Sequence, residues 1–125
     1  MPFETVQYHD LGLVVHEGHG PITYEDIQQQ MIKCFGAQGW NVHSLWDLRD
    51  ASLQPLTGAQ VRALADQAVA YARLGSGKKN GWVAVRPEDF GLCRMSQALA
   101  GNQGLDLAVF SDFDQALAWI RGDSG

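Results

Sequence analysis

The sequence predicts an α/β sandwich of about five mostly parallel strands, with an antiparallel strand at its N-terminal edge and four helices. Three observations carry that prediction. After an opening hairpin, short apolar runs alternate with stretches of helical period. Helix-start signals recur at Thr23, Thr57, Pro87 and Ser111. The run 42–48 is apolar on both faces, which suits a strand covered by helices on two sides.

Taken in order, Phe3 to His9 alternates as a strand, Asp10-Leu11-Gly12 signals a turn, and Leu13 to Glu17 returns. Gly18-His19-Gly20-Pro21 is expected to break that second strand. Thr23 with Asp26 resembles a capping box. Ile27, Met31, Cys34 and Phe35 then mark one buried helical face, and Gly36 and Gly39 stop the helix.

Along the strand Val42 to Leu48, Val42, Ser44, Trp46 and Leu48 share one side, while His43, Leu45 and Asp47 share the other. Thr57 with Gln60 forms a second capping box, and Val61, Leu64, Ala65, Ala68 and Ala72 carry a helix to about Leu74. GSGKKNG, from Gly75 to Gly81, reads as a polar connection. Trp82 to Val85 is a short strand. Pro87-Glu88-Asp89 opens a helix with Leu92, Met95 and Leu99 spaced for burial, ended by Gly101. Leu105 to Phe110 is the last strand. Ser111 and Asp114 cap a closing helix with Ala116, Leu117 and Ile120 inward.

Bulk properties narrow the function. A chain of 125 residues, 46% hydrophobic and 18% charged, fits one globular domain over 1–125. Its net charge of −5 argues against nucleic acid and against an anionic membrane surface as partner. No run is long enough to span a bilayer, and the N-terminus lacks a signal-peptide pattern, so a cytoplasmic protein without stable membrane insertion is expected. Cys34 and Cys93 match neither a redox pair nor a zinc ribbon and read as reduced, buried thiols.

Over essentially its whole length, element order included, the chain resembles the SpoIIAA-like branch of the STAS superfamily, also described as similar to the lipid-carrier CRAL-TRIO fold. The residues that carry the likeness are WDLRDA at Trp46 to Ala51, WVAV at Trp82 leading to FGLCRM at Phe90 to Met95, and the ending VFSDFDQALAWI with Ala116, Leu117 and Trp119. Many members of that branch are uncharacterised. Better-known STAS proteins bind a kinase-like partner and are switched by phosphorylation of a serine in a pattern like Asp-Ser-Ser-Gly. Here Thr57 occupies that phospho-acceptor position and Gly58 follows, but Pro55-Leu56 stands where the Asp-Ser pair would be.

The candidate contact residues are Asp47, Arg49, Arg86 and Arg94. Strand ends are where α/β sheets form ligand crevices, and paired arginines clamp carboxylates or phosphates. The competing reading has Asp47 pairing one arginine to fix two loops. Thr57 as an ordinary N-cap likewise competes with Thr57 as phospho-acceptor.

The histidines of HEGH (His16 and His19) lie in a Gly-Pro context unsuited to a zinc helix. They read as exposed or loop-anchoring, with His9 approaching His16 across the hairpin. GSGKK leaves a helix and enters a strand, the reverse of a phosphate loop. Neither a cofactor nor a metal is implied. Trp40, Trp46, Trp82, Phe35, Met31 and Met95 read mostly as core, with the option of lining a modest apolar pocket.

The leading expectation is a non-enzymatic binding or regulatory module that recognises a protein partner or small anionic ligand at the strand ends. Homodimerisation through a helix face or the hairpin edge goes with it. One rival is a small amphipathic-ligand or lipid carrier, which requires a cavity beneath the second and third helices. The other is an enzyme using Asp47 near Arg94.

Overall fold

The computed structural model describes residues 2–36, 41–74, 79–101 and 107–122. Its five-stranded sheet runs β1 (Phe3–Tyr8), β2 (Leu13–Pro21), β3 (His43–Ser52), β4 (Asn80–Val83), β5 (Leu107–Phe110), in that spatial order. β1 pairs antiparallel with β2, and every later pair is parallel. Helices α1 (Tyr24–Cys34), α2 (Gly58–Leu74) and α3 (Pro87–Gly101) connect the parallel strands, and α4 (Phe113–Arg121) closes the chain.

Sequential order has a geometric consequence. Right-handed crossovers that all step in one direction leave their helices on the same side of the sheet. So α1, α2 and α3 cover one face, and α4 covers the other. Two apolar layers result. Trp46, Leu48 and Trp82 pack with Ile27, Met31, Leu64 and Cys93 beneath the three helices. Leu13, Val15, Leu45 and Val83 pack against Ala116 and Ile120 of α4. The expected division of β3 into two apolar faces is therefore present. No described helix is long and apolar enough to cross a membrane.

The helix starts follow the sequence closely. Thr23 Oγ1 accepts from Asp26 N at 3.2 Å while Thr23 N donates to Asp26 Oδ2 at 2.9 Å. Thr57 and Gln60 make the same reciprocal pair, at 3.2 and 3.0 Å. α4 is capped by Asp112 rather than Ser111: the Asp112 carboxylate accepts from Asp114 N and Gln115 N.

The limits of β2, β3 and β4 and the inward face of α3 depart from the sequence reading. β2 does not break at Gly18 but runs to Pro21, because β3 continues to Ser52 and pairs with it across a register shift between Glu17 and His19. Gly18 suits that path: a Cβ there would press on Phe3 at 3.1 Å and Leu48 at 3.3 Å. β4 begins at Asn80 and ends at Val83, leaving Val85 exposed outside the sheet. α3 buries Asp89, Cys93 and Ala100, whereas Met95 is exposed and Leu92 and Leu99 are half-buried. Its inward face is rotated from the one the apolar spacing suggested. Trp40, Gly39, most of the Gly75–Gly81 connection and the start of the Leu105 strand lie outside the described residues.

Candidate functional site

The predicted contact residues separate in space. Asp47 and Arg49 lie within β3 rather than at its end, since the strand continues to Ser52. Both project to the α4 side. The Asp47 carboxylate accepts from Arg49 Nε at 2.9 Å and Nη2 at 2.8 Å, and Oδ1 also takes the Arg49 amide at 3.2 Å. The guanidinium lies 4.4 Å from the centroid of Phe113 in the first turn of α4. Hydrogen bonding to Asp47 raises the Arg49 pKa, against some desolvation and with help from the charges of Asp47, Asp50 and Glu17. An acid this buried, held by both arms of one guanidinium, is already satisfied.

Arg94 is exposed on α3, across the sheet from that pair. Arg86 stands at the rim, where Pro21, Asp50, Ser52, Gln54 and Arg86 surround an open cleft of about 500 Å³ at the carboxyl ends of the strands. Thr57 is exposed at the start of α2, its hydroxyl accepting from Gln60 N. Asp47 and Arg49, Arg86, and Arg94 thus occupy one face, the rim and the opposite face.

His16 is fully buried, which corrects the expectation of an exposed or loop histidine. It pairs in register with Trp46, and its ring stacks on that indole at 4.0 Å between centroids. The Gln30 amide donates to Nδ1 at 2.8 Å, which leaves Nε2–H to donate to Ser44 Oγ at 2.9 Å. Burial, then the charge of Lys33, pushes its pKa down to about 3. Its cross-strand neighbour is Thr5, not His9, which lies in the turn after β1.

Cys34 Sγ comes within 3.8 Å of Nδ1. Burial raises the thiol pKa, so both partners of this contact are held neutral, the opposite of a thiolate–imidazolium pair. A signal for His16 existed in the sequence: it sits two residues from Val14 on a strand whose other face carries Leu13 and Val15.

Glu4, Glu17 and His19 bring three donor atoms within 4.8 Å of one another on the outer part of β1 and β2. They are exposed or half-buried, and the Arg49 guanidinium lies close enough to feel the charge of Glu17.

A different feature lies beneath α2 and α3. Met31 of α1, Leu56, Leu64 and Ala68, Trp82 of β4, and Leu92 and Cys93 of α3 line a partly open cavity of about 20 Å³, room for about one water. Its remaining walls are Ile27, Leu53, Val61, Ser96 and Leu107. Trp82 is buried and stacks nearly parallel on Trp46 at 4.9 Å. Among the described residues, no acceptor meets its Nε1.

Asp89 stands behind two of the lining residues, Leu53 and Cys93. Its Oδ1 accepts from Leu53 N at 3.0 Å, and its buried Oδ2 has no donor among the described residues. Burial, then Asp89, pushes the Cys93 thiol up to about 12.

No protein-family model matches the chain, and no curated protein does. Among solved structures the chain is similar to an uncharacterised protein of the DUF3478 family with a SpoIIAA-like fold from Shewanella loihica PV-4. The TM-score is 0.58 at 16% identity, over 94% of this chain and 91% of that one. At that identity the likeness establishes the fold.

Proposed function

We propose that this SpoIIAA-like fold serves as a non-enzymatic binding module whose ligand is a small, largely apolar molecule held beneath α2 and α3. The observation that carries this reading is the cavity itself, walled almost entirely by aliphatic and aromatic side chains at the place a carrier of this architecture requires. A benzene-sized guest needs roughly 150 Å³. At about 20 Å³, the cavity admits a ligand only when α2 and α3 part. The seam between them suits that movement. It is lined by half-buried Leu56 and Leu92, and the exposed Met95 methyl stands 3.8 Å from where a Gly58 Cβ would be. Methionine side chains repack at little cost.

Catalysis is a weaker reading. The contact with most nucleophilic character, Cys34 with His16, is held neutral on both sides, and Asp47 is bound by Arg49 on the face opposite Arg94.

A second reading keeps partner or anion recognition at the strand ends. The open cleft with Asp50 and Arg86 on its rim favours it, and Arg86→Ala would abolish such binding without unfolding the protein.

The test begins with native and denaturing mass spectra of freshly purified protein, where a small molecule lost on denaturation supports the ligand reading. The same spectra report monomer or dimer. It continues with titration by N-phenylnaphthylamine, a neutral fluorescent apolar probe. Saturable one-to-one binding that Ala68→Leu weakens at least tenfold is the expected result. Absence of both a bound molecule and saturable probe uptake would remove the reading.

A further inference from the structure

We propose that the cavity beneath α2 and α3 selects a neutral ligand bearing a hydrogen-bond acceptor, recognised by the Trp82 indole N–H, and discriminates against fatty carboxylates. This rests on the small-ligand reading above and adds the chemistry of the ligand's polar group.

The first element is Trp82 itself. It lines the cavity, it is buried, and its Nε1 meets no acceptor among the described residues. A buried N–H without an acceptor is costly, so a guest that supplies one gains more than the same contact would give in water. The ring cannot easily turn elsewhere for a partner. It is stacked on Trp46 at 8° between planes, and Trp46 is stacked in turn on His16, whose two nitrogens are held by Gln30 and Ser44. The donor is therefore fixed in advance of binding.

The second element is charge. No lysine, arginine or histidine lines the cavity. Behind its lining stands the carboxyl of Asp89, which accepts from Leu53 N and acts on Cys93, both lining residues, and whose Oδ2 meets no donor among the described residues. A carboxylate head carried inward would be buried without a cation, with the Asp89 carboxyl behind the wall adding like charge, a steep desolvation cost. The basic side chains next in sequence to lining residues, Arg62 and Arg94, are exposed on α2 and α3. Ketones, esters and alcohols satisfy the indole without that cost.

The experiment measures displacement of N-phenylnaphthylamine by n-octane, methyl hexyl ketone and octanoate, on wild type, Trp82→Phe and Arg94→Ala. In parallel, the indole N–H resonances of the four tryptophans are followed by NMR. The ketone should bind about threefold to tenfold more tightly than octane, the range one hydrogen bond supplies, and octanoate should bind more weakly than the ketone. One indole resonance, the one missing from Trp82→Phe, should move downfield with the ketone and not with octane. Trp82→Phe should bring ketone and octane to equal affinity.

Equal binding of ketone and octane by wild type, with the Trp82 resonance unmoved, would overturn the proposal while leaving apolar binding intact. Octanoate binding most tightly, with loss on Arg94→Ala, would overturn it in favour of a ligand whose anionic head stays outside. If Trp82→Phe does not fold, the wild-type ratio decides, with the Trp82 resonance assigned on wild-type protein through its contacts with Trp46. Failure of all probes to bind would remove the underlying reading as well.

Discussion

His16 offers the sharpest test of how the core is built. Its pKa is 6.5 in the unfolded chain and about 3 in the folded protein, so the folded state resists a proton that the unfolded state accepts. Above about pH 7 the ring is neutral in both states, and the neutral form's advantage is fully present. As pH falls below 6.5 the unfolded state protonates first and stability is lost, until the folded ring titrates near pH 3. At about pH 4.5 the gap traversed is two pKa units, each about 1.4 kcal/mol, so this one side chain removes ~3 kcal/mol. The glutamine variant His16→Gln keeps a donor and an acceptor for Ser44 and Gln30 but cannot titrate. It should cost about 1–3 kcal/mol near pH 7.5 through lost stacking on Trp46. Urea unfolding at both pH values should then find the variant less acid-sensitive than wild type by ~3 kcal/mol. NMR should show a neutral imidazole with its proton on Nε2 at about pH 5. Equal acid sensitivity in the two proteins, or a His16 imidazole titrating near 6.5, would refute the reasoning.

Three further outcomes follow from the geometry. Arg49→Ala should lower stability by about 1–2 kcal/mol, since it strands the buried Asp47 carboxylate and uncovers Phe113, whereas Arg86→Ala and Arg94→Ala should each change it by under about 0.5 kcal/mol in the same urea assay. Thr57→Ala should cost about 1 kcal/mol by removing the acceptor for Gln60 N, and Thr57→Ser should restore most of it. Gly81→Ala should destabilise by about 1–3 kcal/mol, because the new Cβ would stand 2.9 Å from Leu45 and 3.4 Å from Trp119 in the α4 layer; an unchanged melting temperature would contradict that packing.

Much of the fold was legible because its signals are local. Capping at Thr23 and Thr57 depends on side chains three residues apart, and the two-faced run through Leu45 and Trp46 reports burial directly. What failed to show is set by pairing across the sheet. Gly18 and Pro21 discourage a strand locally, but Phe3 of β1 pairs with Gly18, and Asp50 to Ser52 of β3 pair with His19 to Pro21. His16 looks polar until its register opposite Trp46 puts it in the core. The same holds for the candidate site. Asp47, Arg49 and Arg94 are individually suggestive, yet which face each occupies depends on strand order and crossover hand, and no local pattern reports strand order. The cavity wall is assembled from α1, α2, α3, β4 and β5 together. Its residues read one by one as ordinary core.

The layering also indicates which helix must move for a ligand to enter. α1 is tied to the sheet through Gln30, which donates to His16 and to Thr5 Oγ1, and it buries Ile27 and Met31. α4 is held at one end by Arg49 over Phe113 and at the other by Lys79, whose Nζ donates to Trp119 O at 2.6 Å. α2 buries Val61, Leu64, Ala65, Ala68 and Val69 along its length. α3 is held near its start, where Asp89 accepts from Leu53 N at 3.0 Å, and towards its end, where Gln97 reaches Leu107 O at 3.1 Å and Ala100 is buried; between them it buries Cys93. Local opening is cheapest where few apolar groups leave their neighbours. Hydrogen exchange should therefore be faster in the middle of α3 than in α1 or α2, and saturation with methyl hexyl ketone should slow α3 most. If α2 exchanges fastest instead, the cavity opens from the other wall. If the ketone protects α1 and α3 equally, the ligand does not enter between α2 and α3 at all.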